Sequence, residues 1–110
     1  MSQDLDMKAK VKQILKAVQE IAPGRSVELR IPSYAAIQCI EGGNHRRGTP
    51  PNVVEMAPET LVGLSQNPLK WDELVGKGMI SASGTNADLS KLFNEVSKLV
   101  KSFDGGSNGQ

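Results

Sequence analysis

The chain has 110 residues, a length that suits one domain with a modest hydrophobic core. Its 13 basic and 12 acidic residues leave a formal net charge of +1, so charge gives no argument for binding nucleic acid or an anionic membrane. No stretch approaches the roughly 18 apolar residues of a membrane span, and the N-terminus has no apolar signal region, so the sequence predicts a soluble, cytoplasmic protein without stable membrane insertion.

The first predicted element is an amphipathic helix that ends at Pro23 and Gly24. Lysines occupy its outer faces, and they allow contact with a membrane surface, an interpretation that the nearby acidic residues weaken. The apolar stripe instead predicts a helix that packs on the core. The stripe consists of Val11, Ile14, Leu15, Val18, Ile21 and Ala22.

Two strands are predicted next, over 27–31 and 35–40, with a turn at Pro32. The first strand alternates apolar and charged residues, as a strand with one buried face does. The second is almost continuously apolar, which predicts a strand covered on both faces. Because the two are close in sequence, we expect them to pair antiparallel. Cys39, the only cysteine, lies in the second strand and is predicted to be an inert core residue.

A polar, basic segment, EGGNHRRGTPPNVVE over 41–55, leads into a third strand predicted over 52–56. Pro58 then begins a helix, since proline suits the first helical position, and Asn67-Pro68 ends it. A short helix around Trp71 follows and ends at a glycine pair.

The last strand is predicted over 79–84, and a final amphipathic helix runs to Phe103. Thr85 and Asp88 have the spacing of a capping box for that helix. The Gly-, Ser- and Asn-rich stretch 104–110 is predicted to be a disordered tail, which leaves a single domain over 1–103.

This order of elements predicts a small α+β domain in which helices pack on a mostly antiparallel sheet. The residues expected on the inner face of the sheet are Val27, Leu29, Ile31, Ile37, Ile40, Val53, Ile80 and Ala82.

The basic segment allows several interpretations. Arg46 and Arg47 carry guanidinium groups that match carboxylate or phosphate geometry, and His45 can become charged near neutral pH. Pro50 and Pro51 should stiffen the exit from the loop. A plain solvated connection is the first interpretation, and recognition of an anion or a ligand head group is the second.

Catalysis is the third interpretation, because His45 has no Asp, Glu or Cys close enough in sequence to form a nucleophile–base pair. One histidine and one cysteine do not supply a zinc ligand set. The sequence therefore predicts no metal site and no cofactor.

The segments APETLVGLSQN, LKWDELVGKG, MISASG and ADLSKL follow one another in the order found in the C-terminal half of the sterol carrier protein fold. The stretches RSVELRIPSYAAIQCIEG and HRRGTPPNVVEM are similar to a narrower group, the bacterial sterol-carrier-like domains found mainly in high-GC Gram-positive bacteria. The resemblance implies the same α+β fold. It also implies a hydrophobic cavity between sheet and helices that takes a lipid-like ligand in better-known members.

With this resemblance, the sequence predicts a non-enzymatic binding module for an apolar ligand with an anionic end, such as a fatty acid or an acyl conjugate. The anionic end would meet His45, Arg46 or Arg47. The residues expected to line the apolar cavity are Trp71, Leu74, Phe93, Val96 and Val100.

Two alternatives from other classes stay open. One is an accessory domain without a cavity that presents the basic loop or the last helix to a protein partner or to a second copy of the chain. The other is an enzyme that acts on a small anionic substrate with His45 as general base.

Overall fold

The structure is a computed structural model that describes the backbone of residues 2–42 and 51–108 and the side chains of residues 5–42 and 51–102. His45, Arg46, Arg47 and Pro50 lie outside the described residues.

The described chain contains the predicted succession of elements, and the α+β class is confirmed. In chain order these elements are α1 (Ser2–Ile21), β1 (Val27–Ile31), β2 (Ala35–Cys39), β3 (Asn52–Met56), α2 (Pro58–Gln66), a 3₁₀ turn (Pro68–Lys70), α3 (Trp71–Gly76), β4 (Ile80–Ser83) and α4 (Ser90–Asn108).

The described strands form one sheet in the order β2-β1-β3-β4. The hairpin of β1 and β2 is antiparallel as predicted, with Leu29 opposite Ile37. β3 lies on the other side of β1 and runs parallel to it, and β4 pairs antiparallel with β3. The sheet is therefore mostly antiparallel, with β2 and β4 at its edges.

Among the described residues, helices cover one face of the sheet, and the side chains on the other face are exposed or half-buried. In β1, Val27, Leu29 and Ile31 are fully buried, whereas Arg30 on the opposite face is exposed and lies 3.9 Å from a carboxylate oxygen of Glu28. This alternation with period two is what an amphipathic strand shows when only one face is packed.

Three details of the predicted sheet are wrong. Val54 rather than Val53 is fully buried in β3, and the prediction failed because two adjacent valines give no indication of which one faces inward. Ala82, expected on the packed inner face, is exposed in β4. β2 is not covered on both faces: Ala35 and Ala36 are exposed, because the strand lies at the edge of the sheet.

The helix ends follow local backbone chemistry. Pro58 is at the start of α2, with acidic Glu59 in the first turn, as predicted. The predicted capping box is wrong, because α4 begins at Ser90 and Thr85 lies too far upstream. Instead, the Asp88 carboxylate accepts a hydrogen bond from the Ser90 backbone N–H at 2.9 Å. The backbone of α4 continues past the expected end at Phe103 to Asn108, within the stretch predicted to be a tail.

Candidate functional site

Most residues predicted to line an internal cavity lie in the packed core. Trp71 and Phe93 are 4% and 0% exposed, and their rings stack with centroids 6.3 Å apart. Val96 is also fully buried beside them in the same hydrophobic cluster. The structure thus places all three residues in the hydrophobic core, where the rings of Trp71 and Phe93 stack on each other rather than face an open space.

The other two predicted lining residues lie in different places. Leu74 is half-buried and faces a shallow depression beside α2, together with Met79. Val100 borders a cleft of about 110 Å³ between α1, α2 and α4. The five predicted residues are therefore not gathered around one described cavity.

A larger groove, which sequence reasoning missed, lies between α1 and β2 and has a volume of about 600 Å³. Its floor is apolar and includes Val11 and Leu15 of α1 and Ile37 of β2. Tyr34, Ala35 and the exposed Leu5 also line the groove. The volume falls within the range of roughly 300–1,000 Å³ that is usual for small-molecule sites.

A row of lysines borders this groove. Lys8, Lys12 and Lys16 line it from α1 at spacings of four residues, so they stack along one side of the helix over about 12 Å. Among the described residues, no carboxylate lies within 4 Å of these ammonium groups. The groove therefore combines an apolar floor with a positively charged rim.

Sequence reasoning missed the groove because its two walls, α1 and β2, are separated in the chain by β1. The helical spacing of Lys8, Lys12 and Lys16 was the only signal in the sequence, and lysines on an outer helix face are common. The missing information was which strand lies beside α1.

Asn52, at the C-terminal end of the basic loop, is 2% exposed and forms several hydrogen bonds. Its side-chain amide donates to the Ser26 backbone oxygen at 3.0 Å and to the Ser26 hydroxyl at 3.3 Å. Its carbonyl oxygen accepts from the Asn86 backbone N–H at 2.9 Å. One residue thus ties the end of the loop to two other connections. Gly84 packs so closely on Asn52 that a side chain there has no space.

Cys39 is fully buried, and burial raises the pKa of its thiol to about 11. The thiolate form needed for nucleophilic attack is therefore scarce at neutral pH. Among the described residues, no group of three or more His, Cys, Asp or Glu side chains is placed to hold a metal ion. The described helices also include none with the length and hydropathy needed to span a bilayer.

The described elements define a small α+β domain with helices on one face of a four-stranded sheet and a groove beside an edge strand. A family model described as bacterial SCP ortholog, SCP being sterol carrier protein, matches residues 4–94. The match covers most of the chain, so the chain belongs to this family of bacterial SCP orthologs. No curated protein matches the chain. Family membership indicates a lipid-binding or carrier module.

Proposed function

We propose that this domain is a non-enzymatic binding module for a lipid-like ligand with an anionic end, held in the groove between α1 and β2. One observation carries the proposal: the same groove has an apolar floor and a row of lysines without a described carboxylate partner. Membership in the SCP ortholog family supports a ligand of lipid character.

The apolar floor would supply most of the affinity. Each methylene removed from water contributes about 0.8 kcal/mol, and the exposed Leu5 and Ala35 and the half-buried Ile37 offer apolar surface to such a chain. An exposed ion pair contributes at most about 1 kcal/mol and weakens with salt. The lysines would therefore fix the orientation of the ligand more than its affinity.

The proposal extends to the basic loop. His45, Arg46 and Arg47 would add further positive charge for the head group, and Pro50 and Pro51 would limit the conformations of the loop. The support is chemical, because guanidinium groups form paired hydrogen bonds with carboxylates and phosphates.

A second location for the apolar part is the one predicted from sequence, against Trp71, Leu74, Phe93, Val96 and Val100. Binding there requires the stacked rings of Trp71 and Phe93 to separate and the core to open. The groove needs no such rearrangement, so it is the preferred location.

A matched pair of substitutions on β2 tests the groove. Ala35 lines the groove, whereas Ala36 lies on the opposite face of the same strand, and both are exposed. Ala35→Glu places a carboxylate in the groove, and we expect laurate to bind at least about tenfold more weakly, because the anionic ligand is repelled and apolar surface is lost.

Ala36→Glu is the control and should bind laurate as the original chain does. Isothermal titration calorimetry, supported by native mass spectrometry of the complex, measures both variants. Equal affinity of the two variants would show that the ligand is not in this groove. If neither laurate nor longer fatty acids bind to the original chain, the proposed function is wrong.

A further inference from the structure

We infer that the groove prefers acyl amides that carry an anionic group, such as N-acyl amino acids, to free fatty acids. This inference rests on the proposed function, because it names the class of ligand that the same groove takes. The argument comes from the strand that forms one wall of the groove.

β2 is an edge strand. It pairs with β1 on one side over 35–39, and no described strand lies on its other side. In an edge strand, alternate residues direct their backbone N–H and C=O groups away from the sheet, where they have no ladder partner. Ala35, Ala36 and Ile37 provide no charged side chain to shield these groups.

The groove lies beside this edge, since Ala35 and Ile37 line it from the strand side and α1 lines it from the other. A hydrocarbon chain that covers the edge removes water from backbone groups without replacing their hydrogen bonds, which opposes binding. A ligand that carries its own amide can pair with the edge, as peptides do when they add a strand to a sheet. The edge therefore favours an amide over a methylene at this point of the ligand.

The remaining two features select the groups on either side of the amide. The apolar floor of Leu15 and Ile37 suits an acyl chain, and Lys8, Lys12 and Lys16 suit an anion. An N-acyl amino acid presents an acyl chain, an amide and a carboxylate in one extended molecule. The charge of the lysine row complements that carboxylate.

Three probes with matched chains test this inference below their critical micelle concentrations. N-lauroylglycine has all three groups, pentadecanoate has the same chain length without the amide, and N-lauroylsarcosine has the amide without its N–H. Hydrophobicity alone ranks N-lauroylglycine as the weakest of the three. We expect the reverse, with N-lauroylglycine binding about three- to tenfold more tightly than either analogue, because only it donates a hydrogen bond to the strand edge.

The structural readout is backbone amide exchange in β2 by NMR. With N-lauroylglycine bound, we expect new protection of one outward-facing backbone N–H within 35–39, because the single amide carbonyl of the ligand accepts from one such group, and none with pentadecanoate. An acidic peptide without an acyl chain, acetyl-Val-Glu-Val-Glu-amide, tests whether the edge takes a peptide instead.

The outcomes separate this inference from the proposed function. Equal or tighter binding of pentadecanoate overturns the preference for amides and leaves a fatty-acid module. Tighter binding of the acidic peptide than of N-lauroylglycine overturns the inference in favour of a protein partner. If none of the acyl probes binds, the proposed function and this inference are both wrong.

Discussion

At the scale of single residues, the side chain of Asn52 connects three segments of the chain. Its amide donates to the buried Ser26 carbonyl and hydroxyl, and its carbonyl oxygen accepts from the part-buried Asn86 N–H. Asn52→Ala leaves a buried acceptor and a part-buried donor without this partner, so we expect the free energy of unfolding to fall by about 1–3 kcal/mol. Urea denaturation followed by circular dichroism measures this change.

Two further variants test whether the loss comes from the hydrogen bonds of Asn52: Asn52→Asp at the same position and Asn67→Ala as a control elsewhere. Asn52→Asp keeps the acceptor for Asn86 but directs a carboxylate at the Ser26 carbonyl, so it should be destabilised at neutral pH and recover as the carboxyl is protonated in acid. Asn67 is exposed and its side chain makes no capping bond, so Asn67→Ala should change stability by less than about 0.5 kcal/mol. A loss as small in Asn52→Ala would show that the network contributes little.

At the scale of elements, the sequence predicts what depends on local pattern. The bounds of β1 and β3, the start of α2 at Pro58 and the short helix α3 are confirmed, because alternation, proline and helical spacing are local signals. The edge position of β2 is not local: it arises because β3 crosses to the far side of β1.

The candidate groove depends on that same non-local pairing, which explains why sequence reasoning placed the ligand in the core instead. The family resemblance placed Trp71 and Phe93 at a cavity, but these two aromatic residues, which come from different helices, stack on each other in the core. Lys8, Lys12 and Lys16 become informative only once Ile37 is known to lie beside them.

The start of α4 gives an element-scale prediction. Asp88 accepts the Ser90 backbone N–H, and this hydrogen bond together with one from the Ser90 side chain holds the pKa of the Asp88 carboxyl below its usual value. A carboxyl with a lowered folded-state pKa stabilises the fold above its unfolded pKa, and this contribution is lost as the pH falls through the folded pKa. Asp88 is exposed, so solvent screens this interaction; Asp88→Ala should cost only about 0.3–1 kcal/mol at pH 7, and this cost should disappear in strong acid.

Asp88→Ser is the control for that prediction, because a serine oxygen can accept the same N–H without titrating. At neutral pH, Asp88→Ser should be slightly less stable than the original chain, because serine accepts the N–H without a charge. This difference should disappear in acid, where the original chain loses the charge of Asp88. Urea denaturation at pH 7 and near pH 2 compares the three proteins. A penalty for Asp88→Ala that is equal at both pH values would show that the ionised carboxylate does not stabilise the helix start.

At the scale of the whole molecule, the described core and the groove use different parts of the fold. The core lies between the helices and the inner face of the sheet and includes Leu29, Val54 and Phe93. The groove lies outside this core, beside the free edge of β2. A ligand in the groove would leave the core packing unchanged and would stabilise the folded chain only by binding to it.

The chain contains a natural probe for each of these two locations, which gives the last prediction. Its only tyrosine, Tyr34, lines the groove, and its only tryptophan, Trp71, is buried against Phe93 and does not line the groove. With laurate at about a hundred times its Kd, linkage adds about 2.7 kcal/mol to the free energy of unfolding, so Tm should rise by roughly 10–20 °C. In the same sample, the ring NMR signals of Tyr34 should shift and the indole N–H signal of Trp71 should stay in place. A shift of the Trp71 signal with an unchanged Tyr34 would instead locate the ligand in the core, beside Phe93 and Val96.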